Sequence, residues 1–146
     1  MQISSRFTIA VHILVFINMF EKTHKVTSDF IAGSVNVNPV IIRNLLLKLK
    51  AAGIVTVVRG SGGASIARPL NKITLLDVYN AAECIDGGTL FHFHENPNPK
   101  CPVGRSIHQI LDGSLVKVQH AMENELEKIT LENLVNIAIP LVNPKD

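Results

Sequence analysis

Cysteine is scarce in this 146-residue chain. Cys84 and Cys101 are the only two, which excludes the disulfide framework of a small secreted domain. Apolar runs of membrane length are missing as well. The longest, "FTIAVHILVFINMF" from Phe7 to Phe20, holds His12 and Asn18 and runs into Glu21 and Lys22 instead of a small-residue cleavage site. It falls short of the roughly 18 to 20 residues a span needs. Both absences favour a buried helix in a cytoplasmic protein with no membrane partner. A catalytic set is absent too: no nucleophile has a recognisable base partner, and the histidines and carboxylates follow no spacing tied to a reaction, so an enzyme is not expected.

Acidic residues are lacking in one half only. Through residue 72 the chain carries nine lysines and arginines against Glu21 and Asp29, a net of +7; beyond it, five basic residues face ten acidic ones, a net of −5. The first half is suited to meet a polyanion. With 47% hydrophobic and 18% charged residues, the chain has more apolar surface than a solitary domain needs, and an oligomer is the simplest outlet.

Periodicity then orders the elements. A first helix runs from a Ser4 or Ser5 cap to Phe20, with Phe7, Val11, Leu14, Val15 and Ile17 or Asn18 on its core side. A short second helix, "SDFIAGSV", is capped by Thr27 or Ser28 and turns Phe30 and Ile31 inward. After the turn "NVNP" a third helix starts on Asn38 as cap with Pro39 at its first position. It buries Ile42, Leu45, Leu46 and Leu49 and leaves Val40, Arg43, Asn44, Leu47 and Lys48 off that stripe. Gly53 stops it.

The β-branched run "IVTVV" and the alternating "ASIAR" flank Arg59, Gly60, Ser61, Gly62 and Gly63. A phosphate-binding loop leads from a strand into a helix and is followed by a lysine; this one leads into a second strand closed by Pro69, so it is a hairpin tip. Three helices followed by a basic-tipped hairpin form a mainly α winged helix-turn-helix, with the hairpin as a two-stranded wing. Its candidate DNA-contacting residues are Ser28, Asn38, Val40, Arg43, Asn44 and Lys48 on the helices and Arg59 to Gly63 on the wing. Asn38 serves equally as a simple cap, Arg43 and Lys48 as a solvated face.

Farther on, Thr74 and Asp77 form a capping box that opens a fourth helix to about Cys84. "DGGTLFHFHENPNPK" from Asp86 to Lys100 has no periodicity. From Pro102 to Ile129 the apolar positions Ile107, Leu111, Leu115, Val118, Met122, Leu126 and Ile129 trace a helix of roughly 40 Å, longer than so small a domain covers alone, with Gly113 as a possible interruption. A homodimer through this helix, matched to a palindromic operator in double-stranded DNA, follows. A last helix starts at Thr130, ahead of a disordered "NPKD". The division is thus 1–85, a DNA-binding domain, and 86–146, a sensor loop with dimerisation helices, packed as one unit.

On the stretches "SSRFTIAVHILVFI", "IAGSVNVNPVIIRNLLLKLKAAGIV", "RGSGGASIARP", "ITLLDVYNAAE" and "TLENLV", the chain resembles the Rrf2 family of bacterial transcription regulators over nearly its whole length. The resemblance implies a dimeric winged-helix DNA-binding regulator, usually a repressor, and places Arg43, Asn44, Lys48, Arg59 and Gly63 at positions used near DNA. Two departures stand out. The aromatic residue usual after the wing glycines is Ala64, and the three cysteines that cluster-binding members carry around the start of the long helix are reduced to Cys101. An iron–sulfur cluster is therefore not expected, since a typical site takes four ligands.

Cys101 sits where a helix dipole and the neighbouring Lys100 and Arg105 favour a thiolate. A redox-sensing thiol there is one reading; an inert half-buried cysteine is the other. Cys84, among apolar neighbours, reads as core. His92, His94, Glu95 and His108 offer metal-ligand chemistry without a recognised spacing, so no metal site is assigned. The alternatives to a thiol-switched repressor are a ligand- or metal-responsive regulator without a thiol switch, in which the loop from Asp86 to Lys100 helps form a pocket, and a winged-helix module that binds protein.

Overall fold

The computed structural model of the chain describes residues 3–59 and 62–142. Among the described residues six α-helices run in the order α1 (Arg6–Phe20), α2 (Ser28–Val35), α3 (Pro39–Ala51), α4 (Leu75–Ala81), α5 (Pro102–Lys128) and α6 (Leu131–Val142). Between α3 and α4 lies an antiparallel hairpin, β1 (Val55–Val58) and β2 (Gly63–Ile66), paired from Val55 with Ile66 to Val58 with Gly63. This is the mainly helical winged helix-turn-helix expected, with the long helix behind it. No single helix among the described residues is long and apolar enough to cross a membrane.

Helix α1 is the centre of the core. Ala10, Ile13, Leu14 and Ile17 are fully buried and Phe16 nearly so, whereas Phe7, Val11 and Val15, taken as core markers, lie partly exposed around the cluster. Contacts on several sides explain why a single stripe was too narrow: α1 packs on α2, α3, α4, α6 and β2. Its N-terminus is secured by Ser4, whose Oγ accepts from the Arg6 N–H at 3.2 Å; Ser5 makes no side-chain cap.

Thr27 caps α2 by accepting from the Phe30 N–H at 3.1 Å, which leaves Ser28 as the first helical residue. Phe30 is 37% exposed. It sits on the rim with Phe16, Phe20 and His24 in a set of edge-on and tilted rings, not in the core as expected. Asn36, with φ of 63°, ends α2 in the left-handed conformation. Helix α3 then starts as expected, with Asn38 Oδ1 accepting from the Val40 N–H at 2.9 Å and Pro39 in the first turn.

The end of α3 is a full Schellman motif. Gly53 N–H donates to the Lys50 carbonyl and Ile54 N–H to the Leu49 carbonyl, while Gly53 holds φ of 73°. Ile42, Leu45, Leu46 and Leu49 are buried, each contributing about 1.5–3 kcal/mol. Arg68, just past the wing, donates to the carbonyls of Ala52, Gly53 and Lys72 and to Asp77 Oδ2. Asp77 also closes the capping box with Thr74. One arginine therefore ties the rear of α3 to the start of α4.

Helix α4 ends at Ala81, three residues earlier than expected, because Glu83 turns to φ of 50°. Helix α5 is continuous through Gly113 and has no buried residue along its 27 positions. Only Met122 and Leu126 near its C-terminal end pack on the core. Thr130 and Asn133 cap α6 reciprocally, and Leu131 and Val135 return to the core against α1. The helix runs through Pro140 to Val142; "NPKD" lies outside the described residues.

Candidate nucleic-acid interface

Between α2 and α3 the chain bends by 113°, within the range of about 90–120° that lets a helix-turn-helix present its second helix. The buried stripe fixes which way α3 faces. Val40, Arg43, Asn44 and Leu47 all point outward, Val40 at 51% and Leu47 at 63% exposure. Asn38 spends its Oδ1 on the cap, which leaves its amide N–H groups as donors. Arg43 Nη2 stands 3.8 Å from Asp29 Oδ1, both exposed, a loose pair that a phosphate readily replaces.

Lys48 is different. Its Nζ donates to Glu83 Oε2 at 2.6 Å and its side chain is two-thirds covered. Lys48 therefore serves first as a clamp between α3 and the segment after α4.

The wing leans against the start of α2. Ala64 N–H donates to the Val26 carbonyl at 2.8 Å. Gly63 holds φ of 74°, and a Cβ there would stand 2.7 Å from the Val26 backbone nitrogen, so the tight approach requires glycine. Ser28, Thr27, Val58 and Gly63 line one small hollow, which brings Ser28 beside the wing. Arg59 is exposed at the tip, next to exposed Gly62; Gly60 and Ser61 lie outside the described residues. Ala64 is only 3% exposed, so the residue at that position packs against the domain instead of facing a phosphate.

Cys101 is exposed and occupies the N-cap of α5 without a side-chain cap. Asn98 shapes the approach: its Oδ1 accepts from Lys100 N–H and its carbonyl from Cys101 N–H. A Cβ on Gly104 would come within 2.5 Å of that carbonyl. Cys84 is buried, as expected of a core residue, and burial pushes its thiol up. The Phe93 ring meets His108 edge-on with ring centres 5.7 Å apart, and His94 lies tilted to His108 at 6.0 Å. Among the described residues no three histidines, cysteines or acids converge on a point.

The residue that sequence reasoning missed is Arg6. Its Nη2 donates to the Glu83 carbonyl at 2.6 Å, so Arg6, Glu83 and Lys48 chain α1 to the recognition helix. Nothing local marks contacts 77 and 35 residues apart.

The Rrf2 family model, described as an iron-dependent transcriptional regulator, matches residues 3–137. YwnA of Bacillus subtilis, named as an HTH-type transcriptional regulator, is 47% identical over 134 residues, 92% of this chain and 97% of that protein. A crystal structure of a protein described as DNA-binding superposes with a TM-score of 0.70 at 42% identity, covering 89% of this chain and 98% of the other. CymR, the global cysteine regulator of B. subtilis, shares the fold with a TM-score of 0.67 at 20% identity, over 94% and 98% of the two chains.

The iron in the family description finds no matching donor set here. One cysteine is in the core, the other caps α5, and no third ligand joins either among the described residues, so one chain does not fit an iron–sulfur cluster. What does fit is the DNA-reading scaffold: with its outward-facing α3 and glycine-tipped wing, the chain belongs to the Rrf2 family of DNA-binding transcriptional regulators, which are not enzymes.

Proposed function

We propose that this regulator is a homodimeric repressor that binds a palindromic operator with two copies of α3 and the wing. In this reading Asn38, Val40, Arg43 and Asn44 enter the major groove, while Arg59 to Gly63 follow the adjacent backbone or minor groove. Ser28 and Lys48 support from the edges. Residues 1–85 make the DNA-binding domain and 86–146 the sensing and dimerisation part, and the protein acts in the cytoplasm, where the operator is.

The observation that carries the reading is the division of exposed surface. The outward face of α3 has polar reach without a structural duty, and α5 carries Val103, Ile110, Leu111, Val116 and Val118 at 38–62% exposure with no buried residue. A helix of this length with apolar side chains exposed along it is stabilised by a second copy packed along it.

Cys101 is the proposed redox input. It is the accessible thiol, it stands at the helix end that joins the sensor loop to the dimer element, and no cofactor is required. Oxidation to a sulfenic acid or a mixed disulfide there adds bulk at the α5 N-cap. The test is a gel shift with the chain's own promoter region, reduced and after mild disulfide stress, with Cys101→Ser in parallel. Binding lost on oxidation in the wild type and kept in the variant supports the thiol switch. Binding indifferent to oxidation removes the switch and leaves the DNA reading standing.

A further inference from the structure

A cavity of about 390 Å³ opens between the start of α1, the end of α4, the turn at Asp86–Gly88 and the C-terminal part of α5. That is the lower end of ligand-pocket sizes, suited to a small metabolite. Two of its lining residues carry polar atoms with nothing to bind: Arg6 Nε and the Tyr79 hydroxyl are buried and have no hydrogen-bond partner among the described residues. Tyr79 is 4% exposed. Buried donors are rarely left unmet, and each such atom calls for a missing acceptor.

The charges around the cavity are specific. Glu83 is committed to Lys48. Among the described lining residues, that leaves Arg6 as the cation and Glu123 of α5 as a carboxylate, held by a bond from Gln119 Nε2 at 3.1 Å. Gln119 also donates to the Gly88 carbonyl and accepts from the Leu90 N–H, so it pins the loop over the cavity. Burial, then the Cys84 thiol and the Glu123 carboxylate, push the Tyr79 hydroxyl up, which keeps it a donor. An unpaired guanidinium N–H and an unpaired hydroxyl suit a carboxylate, and the Glu123 carboxylate, with acceptor capacity left beyond its bond from Gln119, suits an ammonium.

We propose that this cavity binds a small amine-bearing carboxylate of the free amino acid class, and that its occupancy is transmitted to α3 through Arg6, Glu83 and Lys48. The ligand carboxylate accepts from Arg6 Nε and Tyr79; its ammonium donates to Glu123. Arg6 is the link, because the same guanidinium holds the Glu83 carbonyl, and the Glu83 carboxylate holds Lys48. The site is separate from Cys101, which does not line it. The transmission half rests on the DNA-binding reading above; the binding half does not.

The test is a thermal-shift screen of the full chain with the common free amino acids and their 2-oxo acid counterparts at millimolar concentration, with calorimetry on each hit. At least one amino acid is expected to raise Tm saturably, and its oxo acid is not. Tyr79→Phe, which removes only an unpartnered hydroxyl, is expected to weaken binding about tenfold; Glu123→Gln is expected to erase the preference over the oxo acid. Glu83→Gln is expected to lose the ligand's effect in the gel shift. No saturable shift with any amino acid, equal binding of the oxo acid, or wild-type affinity in Tyr79→Phe overturns the site. Ligand binding that never alters DNA affinity overturns the transmission. A protein that fails to bind DNA with or without ligand sinks the regulator reading alone, since calorimetry still decides the cavity.

Discussion

Lys48 Nζ and Glu83 Oε2 stand 2.6 Å apart, joining the recognition helix to the segment that follows α4 across 35 residues. The pair fixes where the exposed face of α3 sits relative to α1, and it makes stability depend on one carboxylate.

The lysine holds the Glu83 carboxyl below the usual glutamate range, first by its hydrogen bond and then by its charge. A lowered folded pKa adds stability above the unfolded value, and that stability disappears as pH falls through the folded value. Glu83→Gln should therefore lower Tm slightly at pH 7, and the gap to wild type should close in acid, below the ordinary glutamate range. A constant gap from pH 7 to pH 3 in a thermal-melt series would contradict the assignment. The carboxylate is exposed, so the effect is small.

The two cysteines should label at very different rates. With iodoacetamide at neutral pH, Cys101 is expected to react within minutes and Cys84 only on unfolding, because one is exposed and the other is buried with its thiol pushed up. Peptide mass spectrometry of a time course reads both sites at once. Equal rates would place Cys84 outside the core.

At the wing, Gly63→Ala forces a side chain into a left-handed conformation and against the Val26 backbone. A loss of about 2 kcal/mol is expected in urea unfolding. Gly53→Ala, also at positive φ but with open space around it, should cost less, about 1 kcal/mol. Similar losses at the two positions would mean that the contact with Val26 does not matter.

Leu111→Glu and Val118→Glu place charge on the uncovered stripe of α5. Light scattering after size exclusion should change from twice the monomer mass to the monomer mass, with the melting of the winged-helix core little altered. A dimer surviving both substitutions would move the interface elsewhere.

In DNA titrations by fluorescence anisotropy, Arg59→Ala should reduce the salt dependence by about one phosphate contact and weaken all sequences alike. Asn44→Ala should instead flatten the difference between operator and random DNA. A swapped pattern would exchange their roles.

What the sequence made legible was local. Asn38 with Pro39, Thr74 with Asp77 and the Gly53 stop each depend on neighbours within a turn, and each forms as read. The apolar spacing of α3 gave its buried residues for the same reason. Long-range commitments were hidden. Arg68 counted as one more positive charge, yet it satisfies carbonyls 15 and 16 residues back. Helix α4 was expected to reach Cys84 because "AAEC" is compatible with helix; it stops where the Glu83 carbonyl is taken by Arg6 and its side chain by Lys48. Phe30 reads as core by type, but only its ring neighbours decide that it belongs to the rim. The candidate cavity left no trace in spacing, since its walls come from four elements.

Arg68 and the Gly53 turn anchor α3 from behind, while Val40, Arg43, Asn44 and Leu47 face out from it without supporting the core. Substitutions on that face are thus nearly free of folding cost. Such a protein can drift to a new operator one base contact at a time while keeping its fold.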